Sequence, residues 1–216
     1  MKIKNFGLPN FIFLCLFLLA CRNKNDSGEI KIGSQTWTTK NLDVNTFNNG
    51  DIITEAKTNE EWDKAGNEGR ASWCYYDNLD ENGKQLGKLY NWYAVNDPRG
   101  LAPKGWHIPR ADEWQKLIDY LGGEQESGVK IKSTKGWHKN NNSTNESGFS
   151  GLPAGVRMIG ELGMFYGVGA IANWWSSTGI TGDDAKYSRL DDLDNSILSV
   201  TNASKRFGMS VRCIKN

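Results

Sequence analysis

Tryptophan and glycine are both unusually abundant in this chain, and together they constrain its fold more than any other sequence feature. The sequence contains 9 tryptophans and 24 glycines among 216 residues. A glycine inside a helix costs roughly 0.5–1 kcal/mol relative to alanine, so frequent glycine favours turns and loops over long helices. Tryptophan side chains bury a large apolar area when they pack. The two frequencies therefore predict a loop-rich fold held by aromatic anchors rather than a helical bundle.

The overall composition excludes two broad classes of protein. Apolar residues make up 38% of the chain and charged residues 24%, which is close to the globular average and excludes wholesale disorder. Lys and Arg number 26 against 25 Asp and Glu, so the formal net charge is +1. A balanced charge provides no basic excess for non-specific nucleic-acid binding, and we therefore predict no nucleic-acid partner.

The first 21 residues are typical of a bacterial export signal. Lys2 and Lys4 precede an unbroken apolar run at residues 11–19, which is too short to span a bilayer. The run ends in Leu-Leu-Ala-Cys at residues 18–21, which resembles the lipobox of bacterial lipoproteins. We therefore predict a signal peptide at residues 1–20, lipidation of Cys21, and a membrane contact through the acyl chains. An ordinary signal peptide with an incidental cysteine is the alternative.

The residues after Cys21 predict a tether and a single folded domain. Residues 22–29 contain no apolar side chain, so we assign residues 21–29 to the tether and residues 30–216 to the domain. Arg22 differs from the Asp that resembles an inner-membrane retention signal at this position. We therefore predict an anchor in the outer membrane of the cell envelope, on either its periplasmic or its exposed face.

Several short elements can be predicted from local patterns in the domain. Two alternating runs around Gly33-Ser34 predict a β-hairpin, and Thr58 with Glu61 forms a capping-box pattern for a short helix. After Pro109, four apolar residues share one helical face, and Gly122-Gly123 ends the helix. These four residues are Trp114, Leu117, Ile118 and Leu121.

Residues 89–95 are apolar on nearly every side and predict a buried short helix. The second half of the chain predicts short strands, separated by a polar loop at residues 138–148. The strands are expected at residues 164–168, 186–190, 197–201 and 208–214. A few helices in the first half with short strands at both ends describe an α+β domain.

Seven segments resemble, in order, the motifs of the Fibrobacter succinogenes major paralogous domain family. That family is similar to C-type lectin-like domains and to the formylglycine-generating enzyme group. The resemblance therefore implies one α+β domain of C-type lectin-like fold over residues 30–216. The matching segments are residues 32–37 with 41–42, 73–78, 87–94, 105–109 with 113–114, 147–150 with 152–153, 174–178, and 210–215.

The candidate catalytic groups are few. The sequence has only two histidines, His107 and His138, and neither has a Cys, His or acidic residue at metal-ligand spacing. We interpret His107 as a packed structural residue. A copper oxidase of the formylglycine-generating type needs a reactive cysteine pair, whereas the domain offers only Cys74 and Cys213. We therefore predict no enzyme activity, no cofactor and no metal. Serine catalysis by residues that meet only in the fold stays open.

Two oxygen-rich segments are candidate calcium sites. Asn78, Asp80 and Asn82 match the first half of an EF-hand loop, but its twelfth position is Leu89 rather than a carboxylate. Residues 191–195 form a second such segment. Turns between strands explain both segments more simply, because Asp, Asn and Gly favour turns.

The tryptophans suggest where a ligand could bind. Trp62, Trp92 and Trp114 lie on predicted helices and Trp106 lies in a matching family segment, and we assign all four to the core. Trp137 borders the polar loop and is expected to be exposed. Together with His138 and Arg157, it is the predicted ligand surface. The predicted function is a non-catalytic domain of an envelope lipoprotein that binds a protein or displays an interaction surface, with no ligand specified. A glycan-binding module is the alternative, and a hidden enzyme is the second alternative.

Only two of the four cysteines are expected to remain available in the mature domain. Cys15 leaves with the signal peptide and Cys21 carries lipid, so Cys74 and Cys213 remain. Two thiols in an oxidising envelope commonly pair, and the lectin-like resemblance implies that the chain ends lie together. We therefore predict a disulfide between Cys74 and Cys213. Two unpaired, buried cysteines are the alternative.

Overall fold

The computed structural model describes residues 28–139, 143–160, 164–192 and 201–216. These ranges contain both helices and strands, which confirms the predicted α+β class. The helices are α1 (Asn59–Asn67), α2 (Asp80–Leu86), α3 (Trp92–Val95), α4 (Ala111–Tyr120) and α5 (Glu124–Ile131). The strands are β1 (Glu29–Ile32), β2 (Gln35–Thr38), β3 (Thr54–Glu55), β4 (Ser72–Cys74), β5 (Leu89–Tyr90), β6 (Trp106–His107), β7 (Ala154–Arg157), β8 (Phe165–Val168), β9 (Ile171–Gly179), β10 (Asp184–Asp191), β11 (Thr201–Ser204) and β12 (Ile214–Lys215).

The predicted signal peptide, Cys21 and nearly all of the tether lie outside the described residues. Within the described ranges, none of the helices combines the length and the apolar character that crossing a membrane requires.

The predicted N-terminal hairpin is confirmed. β1 and β2 pair antiparallel, with Glu29 opposite Thr38 and Ile32 opposite Gln35. Gly33 in the turn has a φ of 58°, a left-handed conformation that glycine adopts without strain. β12 pairs with β2, and β6 pairs with β12 as the edge strand of the order β1-β2-β12-β6. This sheet joins both ends of the domain to the short strand β6.

A five-stranded sheet of order β11-β10-β9-β7-β8 forms the centre of the domain. Its middle strand, β9, is buried over most of its length and has a core on each side. Trp174 packs with α4 on one side, while Trp175 packs with Tyr187 on the other. A strand that is buried on both faces has no polar–apolar alternation, which is why the sequence did not predict β9.

The amphipathic helix after Pro109 is confirmed as α4. Trp114, Leu117 and Ile118 are buried on its inner face, and Leu121 is buried immediately after the helix. The next two residues are glycines with φ values of 103° and 87°, so the chain leaves the helix through a conformation that other residues rarely adopt.

The capping box before α1 is also confirmed. The Thr58 side chain accepts from the backbone N–H of Glu61, and Glu61 accepts from the backbone N–H of Thr58. The predicted buried helix at residues 89–95 is only partly right, because β5 comes first and α3 follows. Asn91 lies between this strand and this helix and caps the start of the helix. Its side chain accepts from the backbone N–H groups of both Ser72 and Ala94.

The strand predictions of the second half have mixed outcomes. β8 and β10 confirm the strands expected at residues 164–168 and 186–190. At residues 208–214 the chain makes single bridges at 208–210, and β12 begins only at Ile214. Residues 193–200 lie outside the described residues, and β11 begins at Thr201. α2 and α5 were not predicted.

One core region, here called the aromatic–arginine cluster, consists of Trp37, Trp114, Phe149, Trp174 and Arg212. The Trp37 and Trp114 ring centroids are 4.7 Å apart, and those of Trp114 and Trp174 are 5.9 Å apart. The guanidinium carbon of Arg212 lies 4.5 Å from the Phe149 ring centroid. Such contacts stabilise aromatic rings and cations beyond the burial of area.

Arg212 is fully buried, yet all three of its nitrogens have acceptors. Nε donates to Asn41 Oδ1 at 2.8 Å, and Nη1 donates to the carbonyls of Thr38 and Phe149 at 2.7 and 3.0 Å. Nη2 donates to the Ser150 carbonyl at 2.9 Å. Burial lowers the pKa of Arg212 to about 9, so the group is still charged at neutral pH. Arg212 thereby ties the hairpin, the 149–150 loop and the C-terminal segment together.

Candidate functional site

A cavity of about 360 Å³ lies beside β6, at the edge of the four-stranded sheet. Small-molecule sites occupy roughly 300–1,000 Å³, so the cavity is large enough for a small ligand or one group of a larger ligand. One side is apolar and the rest is polar. The apolar wall consists of Val95, Leu101, Ala102, Ile108 and the Trp106 ring, and the polar lining consists of Asn48, His107, Arg110 and Ser177.

Three chain segments hold this lining in place. The backbone N–H of Asn48 donates to the Gly100 carbonyl at 2.9 Å, which fixes the wall that follows α3. Gly100 has a φ of 80°, and a Cβ there would lie 2.6 Å from Asn48 Nδ2, so another residue would strain the turn and displace this amide. At the end of β9, Ser177 donates its backbone N–H to the Pro109 carbonyl at 2.8 Å. The loop residues before α4 are therefore tied to the central sheet.

Trp106 is the only partly exposed tryptophan of the nine, all of which lie within the described residues. The assignment to the core is confirmed for Trp62, Trp92 and Trp114 and is wrong for Trp106. Trp106 lies on an edge strand of two residues, directly after an exposed turn at residues 103–105. Part of its ring packs against the larger core, and the remainder lines the cavity.

His107 is held between two oxygen atoms. Its Nε2 lies 2.8 Å from Glu113 Oε1, and its Nδ1 lies 2.7 Å from Asn216 Oδ1. Glu113 also accepts from the backbone N–H of Arg110 at 2.9 Å, so the same carboxylate fixes the first turn of α4. His107 is half exposed rather than packed, and its hydrogen bonds join β6 to α4. Both ring nitrogens are engaged in these contacts.

Three polar side chains at the cavity have hydrogen-bonding capacity that no other described residue uses. Arg110 donates from Nε to Asp112 Oδ1 at 3.2 Å, and its two Nη groups make no hydrogen bond within the described ranges. Asn48 donates from Nδ2 to the Ala102 carbonyl at 2.9 Å, while its Oδ1 accepts from none of the described residues. Ser177 Oγ donates to the Ile108 carbonyl at 3.0 Å and keeps its acceptor lone pairs. The cavity thus offers a ligand two acceptors and a pair of donors.

A second cavity, of about 300 Å³, lies beside Arg99 but has its charges already paired. Arg99 donates to Asp51 at 3.0 Å and to Asp97 at 2.8 Å, and it lies over the Phe47 ring at 4.2 Å. Hydrogen bonding from Arg99 lowers the pKa of Asp97 below its usual value. Because these groups satisfy one another, this cavity offers a ligand less unused polar capacity than the cavity beside β6.

The predicted ligand surface of Trp137, His138 and Arg157 is not formed. His138 is exposed as expected, but Trp137 is only 9% exposed. The indole Nε1 of Trp137 donates to the Gly151 carbonyl at 3.1 Å, and the ammonium of Lys132 lies 4.4 Å from the ring centroid. The neighbouring polar loop suggested exposure, but the indole is buried in the same core cluster as Trp174.

Arg157 belongs to a different part of the core. It is fully buried on β7, and it donates to the carbonyls of Ala56 and Thr58 at 3.1 and 2.8 Å. Its guanidinium carbon lies 4.7 Å from the Trp62 ring centroid. Arg157 therefore fastens the start of α1 to the central sheet and is not available to a ligand.

The predicted disulfide is wrong for this structure: Cys74 and Cys213 are both free and buried. The two thiols lie in different core clusters, Cys74 with Leu89 and Cys213 with Val211. Burial raises the pKa of Cys74 to about 11 and that of Cys213 to about 12. The structure thus matches the alternative of two unpaired, buried cysteines.

The two oxygen-rich segments have different structures. Asp80 begins α2, and Asn82 Nδ2 donates to the Tyr76 carbonyl at 2.9 Å, so the first segment starts a helix rather than a turn between strands. In the second segment Asp191 ends β10, and residues 193–195 lie outside the described residues. Among the described residues, no group of three or more His, Cys, Asp or Glu could hold a metal ion.

The sequence did contain one signal for the cavity. Residues 103–105 are Pro-Lys-Gly, a turn-forming combination, and Trp106 follows it directly. A tryptophan beside an exposed turn is a better candidate for partial exposure than one inside a predicted helix. Asn48 and Ser177 carried no such signal, since they reach the cavity only through tertiary contacts.

Fold and cavity together define an α+β domain with a site of small-molecule size at a sheet edge. The chain belongs to the Fibrobacter succinogenes major domain family, whose family model matches residues 30–215. The family resemblance seen in the sequence is thereby confirmed. No curated protein and no solved structure gives a significant match to the chain.

Proposed function

We propose that this protein is a lipid-anchored protein of the cell envelope whose domain binds a ligand without catalysing a reaction. The cavity beside β6 carries the proposal, because an accessible Trp106 ring lies next to three polar side chains with unused hydrogen-bonding capacity. An apolar lining with a few placed polar groups is the usual composition of a binding site. The engagement of both His107 nitrogens favours binding over proton transfer.

The proposed location depends on the first 22 residues. The positive start, the short apolar run and Cys21 support export followed by lipidation, and Arg22 supports sorting to the outer membrane. Two or more acyl chains are sufficient for stable anchoring. The C-type lectin-like fold is likewise proposed, and the pairing of β12 with the N-terminal hairpin supports it.

The anchor is tested by replacing Cys21 with Ala in cells grown with an alkyne-labelled fatty acid. We expect the wild-type protein to carry the label and to sediment with membranes, whereas Cys21→Ala loses the label. Cys15→Ala is the matched control, since this cysteine lies in the apolar run and should not affect labelling. A labelled Cys21→Ala protein would overturn the lipoprotein proposal.

The binding function is tested with the protein purified from membranes in mild detergent and labelled with 5-fluorotryptophan. Nine fluorine resonances are expected, and Trp106→Phe identifies the resonance of Trp106. Addition of small-molecule and oligomer fractions of the cell envelope should shift this resonance, because Trp106 lines the cavity. The buried Trp174 provides the internal control. If no fraction shifts the Trp106 resonance, the cavity is not a binding site for envelope components.

A further inference from the structure

The apolar side of the cavity beside β6 is suited to a ring-shaped ligand with one non-polar face. The exposed part of the Trp106 ring and the side chains of Leu101 and Ile108 form this side. A pyranose ring has such a face, because its axial C–H bonds point to one side of the ring. Contact between those C–H bonds and an indole removes apolar surface from water on both partners.

The polar lining complements the edge of the same kind of ligand. Asn48 Oδ1 and Ser177 Oγ can accept hydrogen bonds, and the two Nη groups of Arg110 can donate them. A sugar hydroxyl both donates and accepts, so adjacent hydroxyls on one ring can use acceptors and donors together. A purely apolar ligand would leave all three groups without partners, at a cost in free energy.

A peptide ligand is less well supported by the geometry. β6 is an edge strand, but it has only two residues, so an added peptide strand could form few main-chain hydrogen bonds. The unused polar groups at the cavity belong to side chains of three separate segments. All three segments line the same cavity, which favours a compact ring over an extended chain.

We propose that this cavity is a carbohydrate site that stacks one neutral pyranose ring on Trp106 and binds its hydroxyls through Asn48, Arg110 and Ser177. The proposal rests on the binding function proposed above and names its ligand class. None of the described residues that line the cavity carries a carboxylate, so the proposed binding mode includes no calcium bridge.

The test uses the detergent-purified protein and a panel of methyl glycosides of glucose, galactose, mannose and N-acetylglucosamine, together with short oligosaccharides of each. Binding is followed by calorimetry and by the fluorine resonance of Trp106. At least one sugar should bind the wild-type protein, with equal affinity in calcium and in EDTA. Trp106→Ala should weaken this binding at least about tenfold, and Trp106→Phe should weaken it less because a ring remains.

Matched controls separate the cavity from other exposed groups. Tyr166→Ala removes an aromatic side chain that is 57% exposed on β8, and it should leave sugar binding unchanged. Arg110→Met should weaken binding, whereas Lys104→Met removes an exposed charge outside the cavity lining and should not. Circular dichroism of each variant confirms that it is folded, and Trp106→Phe provides a conservative second variant.

The remaining outcomes distinguish the two proposals. If envelope fractions shift the Trp106 resonance but no sugar does, the carbohydrate inference is overturned and the binding function stands. If a sugar binds Trp106→Ala as tightly as the wild type, the carbohydrate site lies elsewhere and the inference is overturned. If neither sugars nor envelope fractions affect Trp106, both proposals fail.

Discussion

The aromatic–arginine cluster and the cavity beside β6 are built from the same residue types and differ in accessibility. In the cluster, Arg212 is fully buried and makes four hydrogen bonds among packed aromatic rings. At the cavity, Trp106 is half-buried and Arg110 is exposed with two unused nitrogens. Tryptophan and arginine therefore mark the core in one region and an available surface in the other.

The difference arises from where each residue lies in the fold. Trp174 is on the middle strand of the central sheet, where both faces are covered, whereas Trp106 is on a two-residue edge strand. Substitutions in the cluster should therefore affect stability, and substitutions at the cavity should affect binding.

The largest effect is expected for Trp174→Ala. This substitution opens a cavity among Trp114 and Phe149 and removes the donor to Asn41 Oδ1. Removal of a buried tryptophan side chain typically costs about 3–5 kcal/mol in the free energy of unfolding. Trp106→Ala is the matched control and should cost less than about 1.5 kcal/mol, since Trp106 is already partly exposed to water. Equal losses in urea unfolding would contradict the comparison.

The second-largest loss in the free energy of unfolding, about 3 kcal/mol or more, is expected for Arg212→Met. The change leaves the buried Phe149 carbonyl and the part-buried carbonyls of Thr38 and Ser150 without this donor, and each unsatisfied buried group costs about 1–3 kcal/mol. Arg110→Met should change the free energy of unfolding by no more than about 0.5 kcal/mol, because Arg110 is exposed. A loss below about 1 kcal/mol for Arg212→Met would show that its hydrogen bonds are replaced by water.

A smaller effect is expected at alkaline pH from the buried thiols. Burial raises the pKa of Cys74 to about 11 and that of Cys213 to about 12, against about 8.5 for an unfolded cysteine. Above pH 8.5 the unfolded chain loses these protons first. Stability that is present below pH 8.5 is therefore lost as the pH rises, by up to about 1.4 kcal/mol per pH unit for each thiol.

Unfolding in urea at pH 8 and pH 10 measures this loss. The double variant Cys74→Ala/Cys213→Ala should show a shallower decline than the wild-type protein. The remaining decline reports other buried acids such as Tyr90, whose pKa is also raised by burial. Identical pH dependence of the two proteins would contradict the assigned burial of the thiols.

The smallest expected effect is a difference in thiol reactivity between the native and the denatured protein. The native protein, purified without reductant, should react with a thiol reagent at pH 8 only very slowly, because both thiols are buried and protonated. After denaturation, the processed and lipidated chain should titrate two thiols. If the denatured chain has no free thiols, Cys74 and Cys213 form a disulfide and their assignment as unpaired cysteines is wrong.

Elements that depend on nearby residues could be predicted from the sequence. The hairpin at Gly33, the capping box of Thr58 and the buried face of α4 each depend on interactions within about ten residues. Exposure could not be predicted in the same way. Trp137 is covered by Lys132 and bonded to Gly151, and nothing in its local sequence indicates either contact.

The candidate site shows the same limit. Trp106 is assigned to the core from the sequence because it lies in one of the matching family segments, whereas its position on an edge strand depends on pairing with β12. Asn48 and Ser177 come from segments far apart in the sequence and meet at the cavity only through the fold. The separation of Cys74 and Cys213 into two clusters is likewise a tertiary property.

The cavity beside β6 holds the one partly exposed tryptophan of the nine, all of which lie within the described residues. Acrylamide quenching of tryptophan fluorescence in the wild-type protein and in Trp106→Phe tests this position directly. We expect an accessible fraction in the wild-type protein that disappears in Trp106→Phe, because the other eight tryptophans are at most 9% exposed. An equal accessible fraction in both proteins would place the exposed tryptophan elsewhere and contradict the role of Trp106 at the cavity.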